Sequence, residues 1–123
     1  MNDQAAELVK ALGMTISDYD METRTMEPCV WWPLKIGDCY LGLAWEFDPF
    51  YDIERAVEIA NLFCNEHDVN WELIYTAVEK RRIFQICVTS GEAVLGQSAH
   101  VDPATALCEA VLKALPELRK VAK

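Results

Sequence analysis

Basic residues are scarce. The 123-residue chain holds 11 lysines and arginines against 20 aspartates and glutamates, a formal net charge of −9. Such an excess repels a phosphate backbone and an anionic membrane face, so no direct nucleic-acid binding and no membrane binding is expected. Long apolar runs are missing too: no stretch approaches the roughly 18 residues that a bilayer span needs. Histidine occurs only twice, at His67 and His100, which leaves few imidazole ligands or bases. No C-x-x-C pair occurs among Cys29, Cys39, Cys64, Cys87 and Cys108. Their odd number argues against a disulfide framework, and each has apolar neighbours. They read as reduced thiols that pack as small hydrophobes in a cytoplasmic protein. Neither G-x-x-x-x-G-K-S/T nor G-x-G-x-x-G occurs, so no phosphate-cradling loop is expected. Residues 1–10 carry Asp3 and Glu7 and lack a basic segment followed by an apolar one, so they do not read as a secretory signal.

What is present describes a globular chain. Hydrophobic residues make up 52% and charged residues 25%, and the length fits one domain over residues 1–123. The charge is uneven. Residues 1–60 hold 12 acids and 4 bases, whereas residues 61–123 hold 8 acids and 7 bases.

Periodicity predicts the elements. Ala5, Leu8, Val9 and Leu12 recur at helical spacing over residues 3–12, and Gly13 is a natural stop. Residues 14–37, with Pro28, Pro33 and Gly37, read as a loop with one short extended piece. Alternation over 40–47 predicts a strand that buries Leu41, Leu43, Trp45 and Phe47. Asp52 caps a helix over 52–66, with the stripe Ile53, Ala56, Val57, Ala60, Phe63 and Cys64. Strands follow over 71–78, 83–90 and 93–101, joined by short connections that favour antiparallel pairing. Asp102-Pro103 then opens a last helix, with Pro116 as its end or a kink and residues 117–123 as a basic tail free to fray. The expected fold is α+β: an antiparallel sheet of about four strands packed with about three helices, an α-β-α layered sandwich.

Chemistry-bearing groups are sparse. A nucleophilic cysteine needs a base, and the available pairs are Cys64 with His67, and Cys87 or Cys108 with His100. The acidic surroundings oppose the thiolate, so no catalytic residue is assigned. His67 between Glu66 and Asp68 is too poor a ligand set for a metal site, and no cofactor is expected. Lys80-Arg81-Arg82 reads as a charged strand connection. The last helix begins Asp102-Pro103-Ala104-Thr105, without the lysines that a double-stranded-RNA-binding helix needs there.

Two ordered runs resemble a known family. Asp48-Pro49-Phe50-Tyr51-Asp52-Ile53-Glu54-Arg55-Ala56 and Asp102-Pro103-Ala104-Thr105-Ala106-Leu107-Cys108-Glu109-Ala110-Val111-Leu112-Lys113-Ala114, with Trp71 opening a strand and another strand around 84–88, resemble the phage ABA sandwich domain. The similarity covers about residues 5–115. Tyr51 stands where a small polar residue is common in that family, and Glu109 where arginine is common. The resemblance implies a phage-borne or prophage-borne cytoplasmic protein with α-β-α layers, and it carries no catalytic residues.

Two functional expectations follow. The first is an acidic interaction protein, a host-defence inhibitor of anti-CRISPR-like type, that binds a basic surface of a host protein. Its contacts would be Asp18, Asp20, Glu22, Glu27, Asp38, Glu46 and Asp48, with Trp31 and Trp32 as anchors. Phe50 and Tyr51 are further aromatics expected at the surface. The second is a small-ligand binder or cysteine-dependent enzyme with a pocket between sheet and helices, for which Cys87, His100 and Trp45 are the candidates. Self-association through the apolar region 28–51, giving a homo-oligomer, is a third expectation.

Overall fold

The computed structural model describes residues 1–18 and 27–121. Among them are three α-helices and two three-stranded antiparallel sheets, an α+β fold. The chain falls into two compact units, Met1–Asp48 and Pro49–Lys123.

The first unit opens with helix α1, Asp3–Ala11. Asn2 caps it: its Oδ1 accepts the Ala5 N–H at 2.8 Å, and its Nδ2 donates to Asp48 Oδ1 at 3.1 Å. Ala5, Leu8 and Val9 form the buried stripe. Strands β1 (Thr15–Ser17), β2 (Cys29–Trp32) and β3 (Cys39–Leu43) follow in the sheet order β1-β2-β3. Cys29, Val30, Trp32 and Leu41 are fully or almost fully buried here. The β2–β3 register shifts between Val30 and Trp31. Gly42, paired with Val30, takes φ 120°, a conformation that an L side chain rarely adopts.

The second unit holds helix α2 (Ile53–His67), strands β4 (Asn70–Val78), β5 (Arg81–Ser90) and β6 (Ala93–His100), and helix α3 (Pro103–Val121). Asp52 caps α2, accepting the Arg55 N–H at 3.3 Å. Asp68, in the left-handed region with φ 54°, ends it. Glu79 and Lys80, both with positive φ, make a two-residue hairpin turn, and β4 pairs with β5 over nine consecutive residues. Cross-strand partners share a face, so Trp71, Leu73 and Tyr75 lie beside Val88, Ile86 and Phe84, which lie beside Gly96, Ser98 and His100.

Helix α3 packs on that face. A Cβ on Gly96 would run into the Ala110 carbonyl oxygen and lie 2.6 Å from the Ala114 amide, so backbone meets backbone there. Ala106, Ala110 and Ala114 are wholly buried. Ser98, also buried, donates to Glu109 Oε2 at 2.6 Å, and Lys113 Nζ donates to the Gln97 carbonyl at 3.1 Å. On another side of α3, the Thr105 hydroxyl donates to the Phe50 carbonyl at 2.7 Å and the Cys108 thiol to the Pro49 carbonyl at 3.4 Å. Residues 104–108 are buried without interruption, as in a helix packed on more than one side.

Several expectations change. One sheet of about four strands is replaced by two sheets of three, because β1 and β2 lie in the stretch expected to be mostly loop. Pro28 and Pro33 bracket β2 rather than interrupt it, where neither must donate to the ladder. The strand expected over 40–47 stops at Leu43, and Ala44–Glu46 makes a 3-10 turn. In the α2 stripe Ile59 is buried while Ile53 is exposed. Helix α3 continues through the exposed Pro116 to Val121, so the expected end or fraying tail is helical that far.

The packing at Gly96 makes a stability prediction. Gly96→Ala should cost about 2 kcal/mol or more, because the clash is with backbone that cannot rotate away. Gly91→Ala meets open space at φ 60° and should cost only about 1 kcal/mol of backbone strain. Urea unfolding of both variants checks this, and equal losses would contradict the packing.

Candidate functional site

The register of the first sheet sorts the expected contact residues. Ser17 pairs with Cys29, and Cys29 pairs with Leu43. The end of β1, the start of β2 and the end of β3 therefore lie together. Asp18 follows β1, Glu27 precedes β2, and the turn Ala44–Glu46 follows β3. The Ala44 amide donates to the Pro28 carbonyl at 2.8 Å, which holds this turn beside the start of β2. Asp18, Glu27, Trp45 and Glu46 thus share one end of the sheet, and all four are exposed. Trp45 is 67% exposed.

The other expected contacts do not join them. Asp38 is exposed at the opposite end, where Trp32 pairs with Cys39, near Lys35 and the almost fully exposed Ile36. Asp48 accepts from the residue that caps α1, which is a structural role. Asp20 and Glu22 lie outside the described residues.

The anchors also change. Trp32 is 1% exposed and belongs to the core, so it cannot serve as a surface anchor without unfolding β2. Trp31 is half-buried and packs edge-on against Tyr40 at 5.4 Å between ring centroids. Both indole N–H groups are buried and find no hydrogen-bond partner among the described residues. Trp45, expected in the core, is exposed instead. Alternation held over 40–47 would place Trp45 and Phe47 on one face; the 3-10 turn changes the period, so Phe47 is buried at 4% while Trp45 swings out. No pattern in the sequence marks that change. Of the other aromatics expected at the surface, Phe50 is buried and Tyr51 is 66% exposed.

The thiols and imidazoles lie in separate environments. His100 pairs with Phe84 and Cys87 with Gln97. Phe84 and Cys87 are three residues apart on β5, so the histidine and the thiol face opposite sides of the sheet. His100 Nδ1 accepts the Asp102 amide N–H at 2.9 Å, which occupies its lone pair. Burial pushes the Cys64 thiol up from its ordinary value, away from thiolate. Its neighbour His67 stacks at a tilt on Phe63, 4.7 Å between centroids. Cys108 is buried against the Pro49 carbonyl.

Among the described residues no three His, Cys, Asp or Glu converge on a metal-sized site, and no helix is long and apolar enough to cross a membrane. A depression of about 310 Å³ lies along α1, lined by Asp3, Ala6, Glu7 and Lys10. Trp45, Cys87 and His100 take no part in it.

Thiol labelling of the native protein reads this burial directly. Cys39 and Cys87, half-buried, should be modified at least about tenfold faster than the buried Cys29, Cys64 and Cys108. Mass spectrometry of a time course assigns the order, and early modification of Cys64 would contradict its environment.

Comparison with family models, with curated proteins and with solved structures returns no match to this chain.

Proposed function

We propose that the chain is a phage-type interaction protein, related to the phage ABA sandwich domain. It acts as a host-defence inhibitor in the bacterial cytoplasm by binding a basic surface of a host protein. The observation that carries this reading is Trp45: a large aromatic side chain, 67% exposed, at the sheet end that also presents Asp18, Glu27 and Glu46. An exposed aromatic that shares a sheet end with like charges combines an anchor with steering. The indole supplies buried area on binding, and the carboxylates raise the rate of encounter with a cationic partner. The surrounding charge supports it, because residues 1–48 hold nine acids and three bases.

The phage kinship rests on the two sequence runs. Their contact gives them a common structural role: Thr105 and Cys108 of the closing run donate to the Phe50 and Pro49 carbonyls of the opening run. Glu109, the departure from the family pattern, has its own partner in Ser98. The cysteine-dependent alternative loses its Cys87–His100 pair to geometry, and no observation favours it over binding.

The test starts with capture from a bacterial lysate on the immobilised chain, followed by calorimetry with the purified captured protein. A basic partner is expected, with affinity falling at least about tenfold between about 50 and 300 mM salt. Trp45→Ala should cost about 2 kcal/mol of binding. Replacing Asp18, Glu27 and Glu46 by their amides should mainly slow association. A complex indifferent to both salt and Trp45→Ala overturns the proposal.

A further inference from the structure

Strand β4 is an edge of its sheet, and among the described residues no strand pairs with its outer side. Edge strands invite pairing with another chain, and natural proteins blunt them with short length, proline, bulges, inward charges or a covering element. The two edges of this sheet differ in that respect. On β6 the register shifts opposite Val88 and Thr89, α3 lies over the strand at Gly96, and Lys113 donates to the Gln97 carbonyl. Strand β4 has none of these protections. It runs nine residues without proline and without a register break. At its centre Leu73, Ile74 and Tyr75 are 49%, 47% and 54% exposed. A tether to a helix lies near its start, where Trp71 Nε1 donates to Asn61 Oδ1 of α2 at 2.9 Å.

The charges on and beside β4 suit a second copy of the same strand. Glu72 is the only charge within β4 and lies near its start; Arg81 and Arg82, paired with Val78 and Ala77, lie beside its end. Antiparallel pairing about a two-fold axis sets the acidic end of each strand against the basic end of the other. With Tyr75 opposite its own copy, Glu72 falls opposite position 78 of the second copy, whose partner in the β5 register is Arg81. Leu73 then falls opposite Ala77 and Ile74 opposite Thr76, so no like charges meet. The unit that carries β4 is also the less charged one: residues 49–123 hold eleven acids and eight bases.

We propose that the outer edge of β4 is a homodimerisation surface, where two copies pair antiparallel through residues 72–78 and join their sheets into one of six strands. This surface belongs to the second unit and the acidic sheet end to the first, and its test does not depend on the identity of any host partner.

Sedimentation velocity of the full chain, from about 1 to 500 µM, should show a monomer–dimer equilibrium. Ile74→Lys, which places a lysine on the edge, should weaken dimerisation at least about tenfold, while Val94→Lys on the protected β6 edge leaves it unchanged. Glu72→Arg should weaken it about tenfold, and adding Arg81→Glu should bring it back to within about threefold. Circular dichroism shows that each variant keeps its fold. Hydrogen exchange at residues 73–76 should slow as concentration rises. A wild-type chain that stays monomeric throughout, a dimer that survives Ile74→Lys, or a charge swap that does not restore pairing overturns the proposal.

Discussion

The second unit depends on one close approach. Helix α3 crosses β6 at Gly96 with no side chain between the two backbones, and the Ala110 and Ala114 positions accept that distance because they too are small. Dispersion and area burial reward such contact only if nothing protrudes, so these three positions act together. The hydrogen bonds around them follow from the same placement. Ser98 can reach Glu109, and Lys113 can reach Gln97, because the helix lies low on the strand. The buried hydroxyl of Ser98 would otherwise be a net cost.

The same approach explains what stays open. A helix seated on β6 and β5 cannot also cover the far strand, and the centre of β4 is left with exposed apolar side chains. Helix α2 is tied to β4 by the Trp71–Asn61 hydrogen bond near the start of the strand. Covering one edge of a three-stranded sheet and exposing the other is thus one decision, made where α3 docks.

In the first unit the organising constraint is the short sheet. Strands of three to five residues leave little interior, and Val30, Trp32 and Leu41 fill it. Charged residues are therefore pushed to the strand ends. Antiparallel order then collects Asp18, Glu27 and Glu46 at one end and leaves Asp38 at the other. The acidity of the sequence is spread over more than forty residues, yet three of its carboxylates share a sheet end with an exposed indole.

Much of the fold was legible in advance. The caps Asp52 and Asp102, the apolar spacing of α2 and α3, and the alternation of β4 to β6 all come from local chemistry that a linear reading captures. The strands β1 and β2 were not legible, since three or four residues are too few to display a period. The site was legible only in part. Its acids could be named from composition, but the tryptophans exchanged roles. Trp32 reads like a loop residue because prolines flank it, and Trp45 reads like a core residue because it continues an alternating pattern. What separates them is where the ladder stops: Ala44 still bonds to the Pro28 carbonyl across from β2, and the 3-10 turn Ala44–Glu46 then breaks the alternation. The sequence by itself determined the charge, the helices and the long hairpins, because each depends on neighbours along the chain. Only the tertiary structure decided which tryptophan faces solvent, which acids stand together and which sheet edge is left open, because each depends on backbone pairing between segments distant in sequence.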